Sequence, residues 1–280
     1  MISLGPVLDH LPAWLMVLFR LTGIFLLAPM FGSSAIPRMV KVVMVVGLSL
    51  CVYPMLLGKG QVSTASLEGL IHGGMSLWSL AAAVATELLL GYVVGYCASL
   101  PLIGMQLGGQ IMDQQMGVSA GGVFNPELDA ELGVAGQVLF MSGLTIFLII
   151  GGHHVVLLTL VGSFEVIPIG MFAPIAGLPI DPGQPVGLGL SVDLALGLLT
   201  VAFEMALKIA APMLCILFLL RVAMGFIGRT VPQMNILSVG FIFYIVVGLV
   251  VWIVGIGTGL KVFRDTTSDS LQQIMSIFTM

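Results

Sequence analysis

The chain has 280 residues, of which 59% are hydrophobic and only 8% are Asp, Glu, Lys or Arg, with a formal charge of −4 and a mean hydropathy of +1.17. A water-soluble domain carries roughly 25% charged residues because a compact body needs a polar coat, so this composition excludes a soluble enzyme. Nine basic residues cannot line a phosphate-tracking surface for nucleic acid, and the apolar content excludes disorder. The solvent for much of this chain is lipid, or other apolar protein inside a membrane assembly.

Taken in chain order, the first basic residue is Arg20, with Asp9 and His10 before it. The basic, apolar, small-residue order of a secretory leader is therefore missing, and the first apolar segment is expected to direct insertion itself. A spanning helix needs about 20 residues. Apolar segments of that order lie at 14–31, interrupted by Arg20, and at 42–58, 88–112, 132–164 and 230–260. The last three carry no Asp, Glu, Lys or Arg. The stretch 188–220 holds Asp193, Glu204 and Lys208 and is long enough for one span plus part of another. Turn residues place loops at 32–41, 58–74, 110–131, 168–185 and 221–235. The fourth contains Pro168, Pro174, Pro179, Pro182 and Pro185, which exclude a continuous helix there. These segments predict an all-α, polytopic membrane protein of five to six long apolar helices or helical hairpins. They form one membrane domain over 1–280, with an apolar helical region at about 12–260 and a short polar tail at 261–280. With six spans the loops on one side hold Arg38, Lys41, Arg221 and Arg229 and those on the other Lys59, Lys261 and Arg264, too even a split to set an orientation.

The motifs of enzymes are missing. No G-x-x-x-x-G-K-[ST], G-x-S-x-G or H-E-x-x-H occurs, so the chain carries no phosphate loop of its own and no catalytic residue, metal or cofactor is expected. Cys51, Cys97 and Cys215 each sit in an apolar run, where a thiol behaves as a small hydrophobe. His153 and His154 point about 100° apart on a helix, which suits a loop-lining or interfacial role rather than a metal pair. Small residues recur four apart at Gly91 and Gly95, Gly104 and Gly108, Gly117 and Gly121, and Gly255 and Gly259. That spacing lets helix backbones approach closely in lipid, within the chain or against other subunits.

Charges inside apolar segments cost roughly 2.5 to 3.5 kcal/mol each on insertion scales. Glu204 and Lys208 have the i, i+4 spacing and the acid-first order of a helical ion pair. Glu87, Asp193 and Arg20 have no such local partner and are expected to face a polar interior or another chain. The most unusual stretch is 108–131, which joins two apolar runs and carries Asp113, Glu127, Asp129 and Glu131 without a base. It mixes glycines with Met112, Met116 and Phe124. An acidic solvated loop is one reading. The other is a plug or constriction, because glycines let backbone bend, methionines deform around a guest, and irregular backbone at membrane depth needs protein or a water-filled cavity around it.

Several short runs then stand in a specific order. Arg20 is followed by Ala28-Pro29, Phe31-Gly32, Ile36-Pro37-Arg38 and Lys41. The middle has Gln115-Met116-Gly117-Val118-Ser119 and Asn125-Pro126, then Gly152-His153, Ser163-Phe164 and Pro168-Ile169-Gly170. The end has Ala211-Pro212, Arg229, Pro232-Gln233, Asn235 and Gly240. From about residue 14 to 260 this order resembles the FliR family of flagellar biosynthetic proteins, which is similar to the T-type export-apparatus subunit of virulence secretion systems. The resemblance implies a non-enzymatic, channel-forming component of the type III export gate in the bacterial inner membrane. Its implied partners are FliP-like and FliQ-like subunits, FlhB-like and FlhA-like proteins, and unfolded export substrates. It also implies a plug at 110–124, for which Met112, Met116 and Phe124 are candidate sealing residues and Gly117, Gly121 and Gly122 candidate hinges. Two other readings compete: an ion-coupled secondary transporter using Glu87, Asp193, Glu204 and Lys208, which predicts two related halves that the sequence lacks, and a passive membrane scaffold.

Overall fold

The computed structural model describes residues 5–33, 36–60, 77–118, 133–167, 169, 187–230 and 236–278. Among these residues helix is the dominant secondary structure and no strand occurs. The elements are α1 (Gly5–Leu27), α2 (Arg38–Gly58), α3 (Leu77–Met116), α4 (Val134–Ile149), α5 (Gly152–Val166), α6 (Gly187–Thr230) and α7 (Ile236–Phe278). Five helices are long and apolar enough to cross a membrane, and the count reaches six if α4 and α5 together make one span.

The helix boundaries correct the sequence reading in four places. α3 runs on to Met116, so 110–116 is helix and the loop expected from 110 begins only at Gly117. The single charge-free stretch at 132–164 is two helices, α4 and α5, parted where Gly151 takes the left-handed conformation at φ 76°. α6 absorbs both 188–220 and the first part of the loop expected at 221–235. α7 carries the tail from 261 to Phe278 as continuous helix. α3, α6 and α7 have 40, 44 and 43 residues. At 1.5 Å per residue each is about 60 to 66 Å long, twice the roughly 30 Å of a hydrocarbon core.

The helices form two compact units. One comprises residues 1–99, 151–197 and 271–280, the other 100–150 and 198–270. In the first, α2 turns Val45, Ser49, Tyr53 and Leu56 inward at helical spacing, and Tyr53 Oη lies 2.9 Å from His10 Nδ1 of α1. Its other face is equally apolar, with Met39, Val43 and Leu50 exposed. Glycines set the approach of α1 to α3: a Cβ on Gly91 would run into the backbone oxygen of Arg20, and one on Gly23 into that of Leu88.

In the second unit, Gly104 and Gly108 bring α3 against Ala202, Met205, Ala206 and Ile209 of α6, and Gly143 of α4 receives Met105 and Leu102. Two of the four small-residue pairs, Gly91 with Gly95 and Gly104 with Gly108, thus serve packing inside the chain. Gly255, by contrast, has open space where a Cβ would stand. Cys97 is buried, while Cys51 and Cys215 are exposed as free thiols.

Candidate functional site

Two buried polar centres stand out, one in each unit. In the first unit Arg20 of α1 is 1% exposed and Glu87 of α3 is 2% exposed. Arg20 Nε donates to Glu87 Oε2 at 2.5 Å. Its Nη1 donates to the Ser163 and Ile167 carbonyl oxygens at 3.2 and 3.0 Å. The guanidinium also lies 4.2 Å over the Phe164 ring. Those carbonyls lie at the end of α5, where a helix carries partial negative charge; the Ser163 oxygen also accepts the Ile167 N–H. A single guanidinium therefore ties α1, α3 and α5. Of the two surroundings expected for Arg20 and Glu87, a polar interior or another chain, the structure has the first: they are each other's partners across 67 residues, a pairing with no periodic signature.

The second centre lies where the connector at 117–133 leaves α3 and enters α4. α3 ends in a Schellman closure. Gly117 adopts φ 79°, its N–H donates to the Gln114 carbonyl, and the Val118 N–H reaches back to the Asp113 carbonyl, which satisfies two end acceptors. Arg221 of α6 donates to the Gln115 carbonyl at 3.0 Å, placing a cation at the negative end of α3. α7 supplies the apolar side. Met116 fills the space over Gly248, and a Cβ on Gly117 would lie 3.3 Å from the Phe241 ring.

At the other end α4 starts from Gly133, which has no side chain to cap the helix. The missing acceptor comes from α3. Asp113, 2% exposed, accepts from the Ala135 N–H at 3.2 Å through Oδ1 and from the Gly136 N–H at 2.9 Å through Oδ2. Glycine is required at 133, because a Cβ there would occupy the position of the Asp113 carboxylate. A Cβ on Gly109 would likewise fall 2.5 Å from Gly136 Cα.

Met112 and Met116 are 5% and 2% exposed. Met112 lines a small apolar pocket with Leu139, Ile209, Met213 and Trp252. Both methionines pack inside their own unit. Gly121, Gly122 and Phe124 lie outside the described residues, and of Asp193 only the backbone, within α6, is described. Glu204 Oε1 and Lys208 Nζ are 2.8 Å apart on an exposed face, with 60% and 59% of their side chains open. His153 and His154 meet edge to face at 5.1 Å between ring centres. Sequence reasoning singled out Asp113 only as one acid among four; its role becomes legible once α4 is seen to begin with a glycine.

Helices of this length and apolarity, with the buried Arg20 paired to Glu87 inside the protein, define a multi-pass helical membrane protein. The chain belongs to the family described as bacterial export proteins, family 1, whose pattern matches residues 11–270. It is 25% identical over 277 residues to the flagellar biosynthetic protein FliR of Bacillus subtilis strain 168, covering 99% of this chain and 98% of that one. It is 24% identical over 232 residues to FliR of Escherichia coli strain K12, covering 83% and 79%. A further relative is the Yop proteins translocation protein T of Yersinia pestis, 26% identical over 153 residues, or 55% and 54% of the two chains.

Proposed function

We propose that this chain is a channel-forming, non-enzymatic component of the flagellar type III export gate, passing unfolded flagellar proteins across the bacterial inner membrane. It works there with FliP-like and FliQ-like subunits and with FlhB-like and FlhA-like proteins. The observation that carries this reading is the family match over residues 11–270, with FliR as a relative along nearly the whole chain. The geometry supports it. On α6 exposed large apolar residues run from Leu196 to Ile227, Phe203, Phe218 and Phe226 among them, a stretch of about 47 Å at 1.5 Å per residue. A bilayer covers about 30 Å of such a face, so the remainder needs other subunits. The exposed Glu204–Lys208 pair on α6 also favours a protein neighbour over lipid.

The connector rooted at Asp113 and Gly117 is the plug in this reading. Gly117, Gly121 and Gly122 give it bend, Phe124 is its sealing side chain, and Met112 and Met116 anchor it. Deleting residues 117–122 should leave co-purification with FliP-like and FliQ-like proteins intact and make the assembled gate leak small ions in vesicles. A gate that assembles and stays tight after the deletion would sink the plug assignment, and a chain recovered only with itself would sink the gate reading.

A further inference from the structure

We infer that α2 is a lipid-facing span of this chain and that Arg38 and Lys41 hold the headgroup of an anionic phospholipid at its start. At 21 residues α2 is about 32 Å long, which matches the roughly 30 Å of a hydrocarbon core. Its inward side is narrow, with Val45, Ser49, Tyr53 and Leu56 buried. On the outward side Val40, Val43, Gly47, Leu50, Pro54 and Gly58 are exposed at steps of three and four residues. That stripe is about 27 Å long and reaches from one end of the helix to the other. No Asp, Glu, Lys or Arg interrupts it from 42 to 58.

The outward face of α6 differs in both respects. It is apolar over more than the thickness of a bilayer core and carries Glu204 and Lys208 within its length, so lipid alone is a poor cover for it. On α2 the charges stand at the ends, at the depth of lipid headgroups. Lys59 at the far end is answered inside the chain by Glu165, 2.8 Å away. Arg38 and Lys41 have no acidic partner among the described residues, and the sequence has no Asp or Glu from 10 to 67. They also stand at the positive end of the helix dipole, which adds to their charge instead of offsetting it. An anionic phospholipid supplies what both features require: acyl chains along Val43 and Leu50, and a phosphate beside the two bases. The stem of Lys41 lies along the apolar face while its ammonium reaches the headgroup layer.

The test uses the assembled complex in vesicles of equimolar phosphatidylglycerol and phosphatidylcholine. With the photoreactive p-benzoylphenylalanine in place of Val43, which is 70% exposed, irradiation should give lipid adducts that are identified by mass. Phosphatidylglycerol adducts should exceed phosphatidylcholine adducts roughly tenfold, and Arg38→Gln with Lys41→Gln should bring the two to parity. If position 43 does not tolerate the probe, Leu50 on the same stripe carries it. If the double variant does not assemble, the unaltered bases are compared in about 1 M salt, where screening should remove the excess. A cross-link to protein, whether another subunit or a second copy of this chain, or the absence of lipid adducts, overturns the lipid-facing assignment. Equal adducts of the two lipids with both bases present, or an excess that survives neutralisation or salt, overturns the headgroup site.

Discussion

Arg20 and Asp113 are both charged, both buried and both join helices far apart in sequence, yet they are satisfied in opposite ways. Arg20 meets another charge, Glu87, with helix-end carbonyls and an aromatic face around it. Asp113 meets no cation among its hydrogen-bond partners, only the backbone N–H groups of a helix start. Removing one member of a buried ion pair leaves the other charge stranded, a loss of about 3 to 5 kcal/mol, whereas removing a cap costs about 1 kcal/mol. The first arrangement is therefore the more costly of the two to break.

The largest effect should come from breaking the Arg20 centre. Glu87→Ala leaves a guanidinium with no counter-charge in a dry site, and we expect about 3 to 5 kcal/mol of destabilisation, read as loss of folded protein in detergent. The charge-reversed pair Arg20→Glu with Glu87→Arg should not recover it, because the Ser163 and Ile167 carbonyls face position 20 and need a donor there. Full recovery by the reversed pair would mean that the centre is a bare ion pair. Next comes Gly91→Ala, whose methyl meets the Arg20 carbonyl backbone. Overpacking of this kind costs about 1 to 3 kcal/mol, and a thermal melt indistinguishable from wild type would show that α1 and α3 approach less closely than described.

Smaller effects sharpen the contrast at the connector. Gly133→Ala should cost the cap of α4, since its methyl displaces the Asp113 carboxylate. Stability should fall by about 1 kcal/mol, and a thermal melt equal to that of the unmodified chain would show that the Asp113 carboxylate does not cap α4. Gly117→Ala puts a side chain at φ 79° and should cost roughly 1 to 2 kcal/mol, fraying the end of α3, as amide exchange at Val118 would report. The smallest effect belongs to Glu204 and Lys208. An exposed i, i+4 pair contributes about 0.3 to 0.5 kcal/mol, so exchanging the two charges should leave stability and export unchanged. Loss of export on exchange, with assembly intact, would give Glu204 a role in proton or substrate movement.

The class of this protein was legible in its composition. Eight per cent charged residues in 280 leave no polar coat, and the count of five to six apolar spans follows from length alone. The ordered short runs from Arg20 to Gly240 carried the family, and the match over 11–270 shows it. Boundaries were less legible, for a physical reason. Gln114 and Gln115 look like loop residues, but helix continues while backbone bonds can form, and it stops where Gly117 enters the left-handed region. At Gly151 a similar turn divides a charge-free run that hydropathy reads as one element.

By itself, then, the sequence determined what is local or additive: apolarity, helical class, the Glu204–Lys208 spacing and the glycines at Gly91, Gly95, Gly104 and Gly108 that invite close approach. Tertiary structure alone decided the partners. Arg20 finds Glu87 across 67 residues, and Asp113 caps a helix that begins 21 positions later. Neither pairing follows a helical period, because each arises only when separate helices come close enough to exclude water. A buried charge must then take whichever donor or acceptor the packing has brought beside it.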